Sequence, residues 1–122
     1  MKRALVVSDD SLVREKLLKS LESLSFEVHS TTSVREALDY LGQSEDLSLV
    51  VTDRVFSQKE GEWLIHTIRK DERFRDVSIV VLDEYSGMKN IYNLLKIGVQ
   101  AFIPKKLCDK YFKDYVCRHI QE

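Results

Sequence analysis

Acidic residues recur in this chain directly after short apolar runs, and that placement is where chemistry is to be sought. Ser8-Asp9-Asp10 follows Leu5-Val6-Val7, Asp53 closes the run from Leu47 to Thr52, and Asp83-Glu84 follows the run from Val77 to Leu82. Lys105 comes just past Ala101-Phe102-Ile103 and Pro104. Carboxylates brought to one place repel one another and cost stability unless something compensates. A hard divalent cation with oxygen ligands, Mg²⁺ or Mn²⁺, is the natural compensator. A lysine ammonium beside them would neutralise part of the charge or hold a bound oxyanion. A carboxylate next to such a metal can attack a phosphoryl donor and become an aspartyl phosphate, with the metal stabilising charge on the transferring oxygens. Asp53, central in the chain's order of strands, is the best candidate for that nucleophile.

The elements that must position these residues are read from periodicity. Leu12, Val13, Leu17, Leu18, Leu21 and Leu24 recur at helical spacing, and Ser11 is the expected N-cap. Phe26-Glu27-Val28 reads as a short strand. Ser33 and Glu36 fit a capping box, opening a helix that carries Val34, Ala37, Leu38 and Leu41, with Gly42 as its expected stop. After Asp53 a loop is expected to run to Gly61. Trp63, Leu64, Ile65 and Ile68 mark a third helix, with Trp63 packing on it. Met88, Ile91, Tyr92, Leu94 and Leu95 mark a fourth helix closed by Gly98, and Tyr111, Phe112, Tyr115, Val116 and Ile120 mark a last one. Strands this apolar are covered on both faces, which predicts an α/β fold: five β/α units in a single doubly wound domain with a parallel sheet. In open sheets of this kind ligands bind beyond the carboxyl ends of the strands, the edge on which the acids and Lys105 fall.

The composition agrees. A chain of 122 residues with 43% hydrophobic and 32% charged residues can bury one core without staples. A net charge of −1 argues against direct nucleic-acid binding. No apolar run is long enough to span a bilayer, and the N-terminus has no long apolar signal segment, so a cytoplasmic protein is expected. Cys108 and Cys117 fall nine residues apart on one helix, on opposite sides of it, and are expected as reduced thiols packed like small hydrophobes.

Leu5-Val6-Val7-Ser8-Asp9-Asp10, Asp53 with Gly61 eight residues on, the fourth strand, and Gly98 through Lys105 stand in the order and spacing of a known family. Over nearly its whole length the chain resembles a bacterial response-regulator receiver domain of two-component signalling. The resemblance implies a flavodoxin-like (βα)5 fold over residues 1–122, with strand order 2-1-3-4-5. It implies a cytoplasmic phosphorelay module phosphorylated on Asp53 by a sensor histidine kinase with Mg²⁺ (or Mn²⁺), and no enzyme beyond its own phosphorylation and dephosphorylation. Lys105 would contact the phosphoryl group. Asp9, Asp53 and the backbone carbonyl of Val55 would hold the metal, with Asp10 as the fallback for Asp9. Phe102 would be the aromatic whose rotamer reports the state of the site. The face of the last two β/α units would serve a downstream output domain or protein, and a second copy could pair there; neither nucleic acid nor membrane is implied as a direct partner.

The chain departs from the family pattern in three places. Two adjacent acids usually follow the first strand; without a gap those positions are Ser8 and Asp9, and Asp10, one place beyond, would then serve as a helix cap. The fourth strand normally ends in Thr or Ser, where this chain has Asp83. A carboxylate about 4 Å from a phosphoryl charge costs ~4 kcal/mol at an effective dielectric near 20, unless Asp83 turns outwards, pairs with Lys105 or is neutralised by the metal. Pro104 precedes Lys105 where the family has proline after its lysine. Two alternatives therefore stand beside the phosphorelay module: a pseudo-receiver that binds partners without being phosphorylated and, more weakly, a metal-dependent phosphatase-like enzyme on the same fold.

Overall fold

The computed structural model describes residues 2–44, 46–53, 58–83, 95–104 and 108–120, without the side chains at 58–61, 83 and 108–110. Among the described residues the elements are, in order, β1 (Arg3–Val7), α1 (Ser11–Ser23), β2 (Glu27–Thr31), α2 (Val34–Gln43), β3 (Leu49–Asp53), α3 (Gln58–Lys70), a 3₁₀ turn (Glu72–Phe74), β4 (Ser78–Asp83), β5 (Ala101–Pro104) and α4 (Cys108–His119), the expected alternation except between β4 and β5, where most of the segment lies outside the described residues. The strands pair in parallel in the order β2-β1-β3-β4-β5, a flavodoxin-like sheet.

Alternation along each strand sends side chains to two buried layers. Leu5, Val7, Val50, Ile79 and Val81 meet Val34, Ala37 and Leu41 of α2 and Leu64, Ile65 and Ile68 of α3 on one face. Ala4, Val6, Leu49, Val51, Val80 and Leu82 meet Leu17 and Leu21 of α1, Phe112 and Val116 of α4 and Ile120 just beyond it on the other. The middles of the central strands are apolar because neither face sees water. β2 lies at one edge of this sheet and exposes Glu27, His29 and Ser30. β5, four residues long and ending in Pro104, lies at the other.

Several local expectations are corrected. Asp10, not Ser11, is the N-cap of α1: its Oδ1 accepts from the amides of Leu12 (3.0 Å) and Val13 (3.3 Å). α2 runs through Gly42 to Gln43 and is capped by Ser44; Gly42 sits in open space, so its lack of a side chain was no stop signal. α3 begins at Gln58, so Gly61 lies inside the helix. β2 starts after Phe26, whose side chain is core. Trp63, on α3 as expected, is 58% exposed and stands at the surface beside Val34, Arg35 and Leu38. Cys117 is exposed, not packed. The capping box forms in part: Ser33 Oγ accepts from the Glu36 amide at 3.1 Å, and Glu36 reaches the amide of Thr32. The expected fourth helix falls, from Met88 through Leu94, outside the described residues; Leu95 and Lys96 are helical, and a turn follows in which the Gly98 amide donates to Leu95 O.

Candidate functional site

Strand register gathers the expected residues at one edge. Val7 pairs with Thr52, Thr52 with Val81 and Val81 with Phe102; one rung further Asp53 pairs with Leu82, and beyond that Asp83 with Pro104. Ser8, the residue after β1, therefore comes level with Asp53, the last residue of β3. The two side chains touch: Ser8 Oγ donates to Asp53 Oδ2 at 3.0 Å. Both residues are 1% exposed. A carboxylate this deeply buried calls for hydrogen-bond donors, and Ser8 provides one.

The loop after β1 is built around Ser8. Its amide donates to Thr31 O at 3.1 Å, its carbonyl accepts from Arg14 Nη1 at 2.7 Å, and its hydroxyl accepts from the Asp10 amide at 3.1 Å. Asp9 between them is exposed, while Asp10 is half-buried and capping α1. Phe102 is partly buried against the α2–α3 layer of the core. Thr52, beside Asp53, buries a hydroxyl that meets no partner among the described residues.

Asp53 thus lies with Ser8 in the crevice expected for the fold, with Asp9 following on the same loop. Asp83 ends β4 on the neighbouring strand, but its side chain, and all of Val55 and Lys105, lie outside the described residues. Among the described residues no three carboxylate, imidazole or thiol groups gather closely enough to hold a metal ion. Asp9 and Asp53 nonetheless offer hard oxygen donors at one strand edge, and Mg²⁺ keeps several of its waters and needs only one or two protein carboxylates. The donor set fits that ion in kind. Sequence reasoning treated Ser8 only as a missing acid and did not single out Arg14; a hydroxyl at the rung beside a buried aspartate was the available signal.

The comparisons with known proteins agree with this geometry. A family model described as the response regulator receiver domain matches residues 4–116. The chain is 27% identical over 113 residues to the chemotaxis protein CheY1 of Helicobacter pylori, covering 92% of this chain and 91% of that protein. It is 26% identical over 101 residues to the two-component response regulator ORR5 of Oryza sativa subsp. japonica, covering 83% of this chain and 75% of that protein. Among solved structures, a response regulator receiver protein from Pseudomonas putida superposes with a TM-score of 0.84 at 27% identity, covering 97% of both chains. A response regulator from Thermotoga maritima shares the fold with a TM-score of 0.87, covering 100% of this chain and 99% of that one, at 24% identity.

Proposed function

The chain belongs to the response regulator receiver family, and from that premise we propose that residues 1–122 act as one two-component signalling module, phosphorylated on Asp53 by a sensor histidine kinase. The observation that carries this reading is the placement of Asp53: buried, at the carboxyl end of the central strand β3, with the Ser8 hydroxyl 3.0 Å from Oδ2.

In this reading an Asp53 carboxylate oxygen attacks the phosphorus of the kinase's phosphohistidine. The new O–P bond makes an acyl phosphate, and the P–N bond breaks with its electron pair returning to the imidazole nitrogen. Burial of the carboxylate excludes water, and the Ser8 loop holds it in place. Asp9, Asp53 and the Val55 carbonyl would hold Mg²⁺, which supplies neutralisation of charge on the transferring oxygens when bound. Lys105 would contact the phosphoryl group, and Asp83 and Phe102 would report its presence to an output domain or protein at the face of the last two β/α units. That face is also where a second copy would pair. The module works in the cytoplasm and catalyses nothing beyond its own phosphorylation and dephosphorylation. Among the described residues no helix is long and apolar enough to cross a membrane.

A second reading, the pseudo-receiver, draws on the same contact. Ser8 gives the buried carboxylate a neutral donor where the family pattern has an acid that calls for a cation, so Asp53 is satisfied in part without one. Incubation with acetyl phosphate and Mg²⁺, read by intact mass against Asp53→Ala, separates the two. One added phosphoryl group, lost in the variant and without metal, supports the phosphorylated module. No adduct across donor concentrations, with gain of one in Asp83→Thr, supports the pseudo-receiver. Repeated turnover of a generic phosphate ester would instead mark an enzyme.

A further inference from the structure

Ser8 stands where the family pattern has its first acid, and each of its polar groups is engaged. Its amide is held by Thr31 O and its carbonyl by Arg14 Nη1. Its hydroxyl oxygen takes the Asp10 amide proton at 3.1 Å. A hydroxyl has a single proton and two lone pairs. With the Asp10 amide on its oxygen, that proton is aimed at Asp53 Oδ2, 3.0 Å away. Neither side chain has solvent to compete for the bond, both being 1% exposed.

We propose that Ser8 is a positioning residue that shortens the life of phosphorylated Asp53, because its fixed hydroxyl favours the free carboxylate over the acyl phosphate. The proposal rests on the reading of Asp53 as phosphoacceptor. Its physical basis is the charge of the acceptor: a hydrogen bond to an ionised oxygen is roughly twice as strong as one to a neutral oxygen. Phosphorylation spreads and removes the charge that Ser8 faces, and hydrolysis restores it. In hydrolysis a water oxygen bonds to phosphorus, the P–O bond to Asp53 breaks with its electron pair staying on the carboxylate, and both protons of the water leave on the inorganic phosphate. Negative charge therefore grows on Asp53 in the transition state, and a donor already aimed at it lowers the barrier without reorganising. An ionised acid at position 8 has no proton to give.

The test compares wild type with Ser8→Ala and Ser8→Thr. Each protein is phosphorylated with acetyl phosphate and Mg²⁺, the donor is removed, and decay is followed by intact mass. The Ala variant is expected to hold its phosphoryl group about three- to ten-fold longer, while the Thr variant, which restores the hydroxyl, decays at the wild-type rate within about two-fold. A half-life in Ser8→Ala equal to or shorter than wild type overturns the proposal. The second readout needs no phosphorylation: the Asp53 carboxylate stretch, isolated by infrared difference against Asp53→Asn, shifts in Ser8→Ala and not in Ser8→Thr. An unshifted band overturns the proposal by itself. Absence of any adduct on wild type overturns the phosphoacceptor reading and the lifetime effect with it, whereas an adduct whose decay ignores residue 8 overturns the role of Ser8 alone.

Discussion

Arg69 Nε lies 2.9 Å from the carbonyl oxygen of Gly98, tying the end of α3 to the turn that leads into β5. The same guanidinium reaches Val77 O at 2.8 Å and Gln100 Oε1 at 2.6 Å, and Gln100 Oε1 also accepts from the Ile79 amide at 2.7 Å. One planar fork therefore joins α3, the start of β4 and the start of β5, and burial holds its pKa below the ordinary arginine value.

Loss of this fork leaves several part-buried acceptors unserved. Arg69→Ala is expected to cost about 2–3 kcal/mol, read as the urea unfolding midpoint at unchanged slope. Arg69→Lys should recover little of it, since a lysine cannot present the planar array of donors.

Gly98 has φ +108°, and a Cβ built there would lie 2.9 Å from Arg69 Nε. Gly98→Ala is therefore expected to destabilise by about 1–3 kcal/mol. In a double-mutant cycle with Arg69→Ala the two costs should fall short of their sum, because truncating the arginine removes the clash.

Ser25, exposed in the turn between α1 and β2, has φ 68°, a left-handed conformation that favours glycine. Its amide closes the helix end on Glu22 O at 3.0 Å, and the Phe26 amide reaches Leu21 O at 3.0 Å. Ser25→Gly is expected to stabilise by about 0.5–1 kcal/mol, measured as a rise in thermal midpoint.

Acid should weaken the fold through two surface carboxylates. The Thr32 hydroxyl and amide hold the Glu36 carboxyl below its ordinary range, and hydrogen bonds from Arg73 do the same for Asp71. A folded-state pKa below the unfolded one gives stability that is present above the unfolded value and lost as pH falls through the folded value. The loss thus begins near the ordinary carboxylate range, about pH 4, and continues below it. Glu36→Gln combined with Asp71→Asn should flatten the decline of unfolding free energy over that window.

Much of the architecture was legible because a doubly wound sheet writes itself into sequence as apolar runs punctuated by helical stripes. Val50-Val51 and Val80-Val81 could only be strands covered on both faces, and Asp53 followed from its place at the end of one of them. What escaped were features set by single contacts. Ser11 and Asp10 are both good caps, and only the geometry of the loop decides for Asp10. Gly42 and Gly61 looked like boundaries, yet helix packing carried the chain through both. Trp63 was read as packing on the third helix, but periodicity alone did not say that the side chain would stand 58% exposed. At the site, the acids were legible by type; the bond from Ser8 to Asp53 was not, because it depends on register across two strands far apart in sequence.

The two margins of the sheet are guarded differently, and this bears on how densely the protein can be crowded. β2 carries exposed polar Glu27, His29 and Ser30, with Glu27 paired to Arg3 at 3.3 Å. β5 is short and ends in a proline, which has no amide proton to offer a neighbouring strand. Copies packed side by side would find neither margin a ready template for adding strands. The chain can therefore be concentrated locally while its sheet stays at its own width.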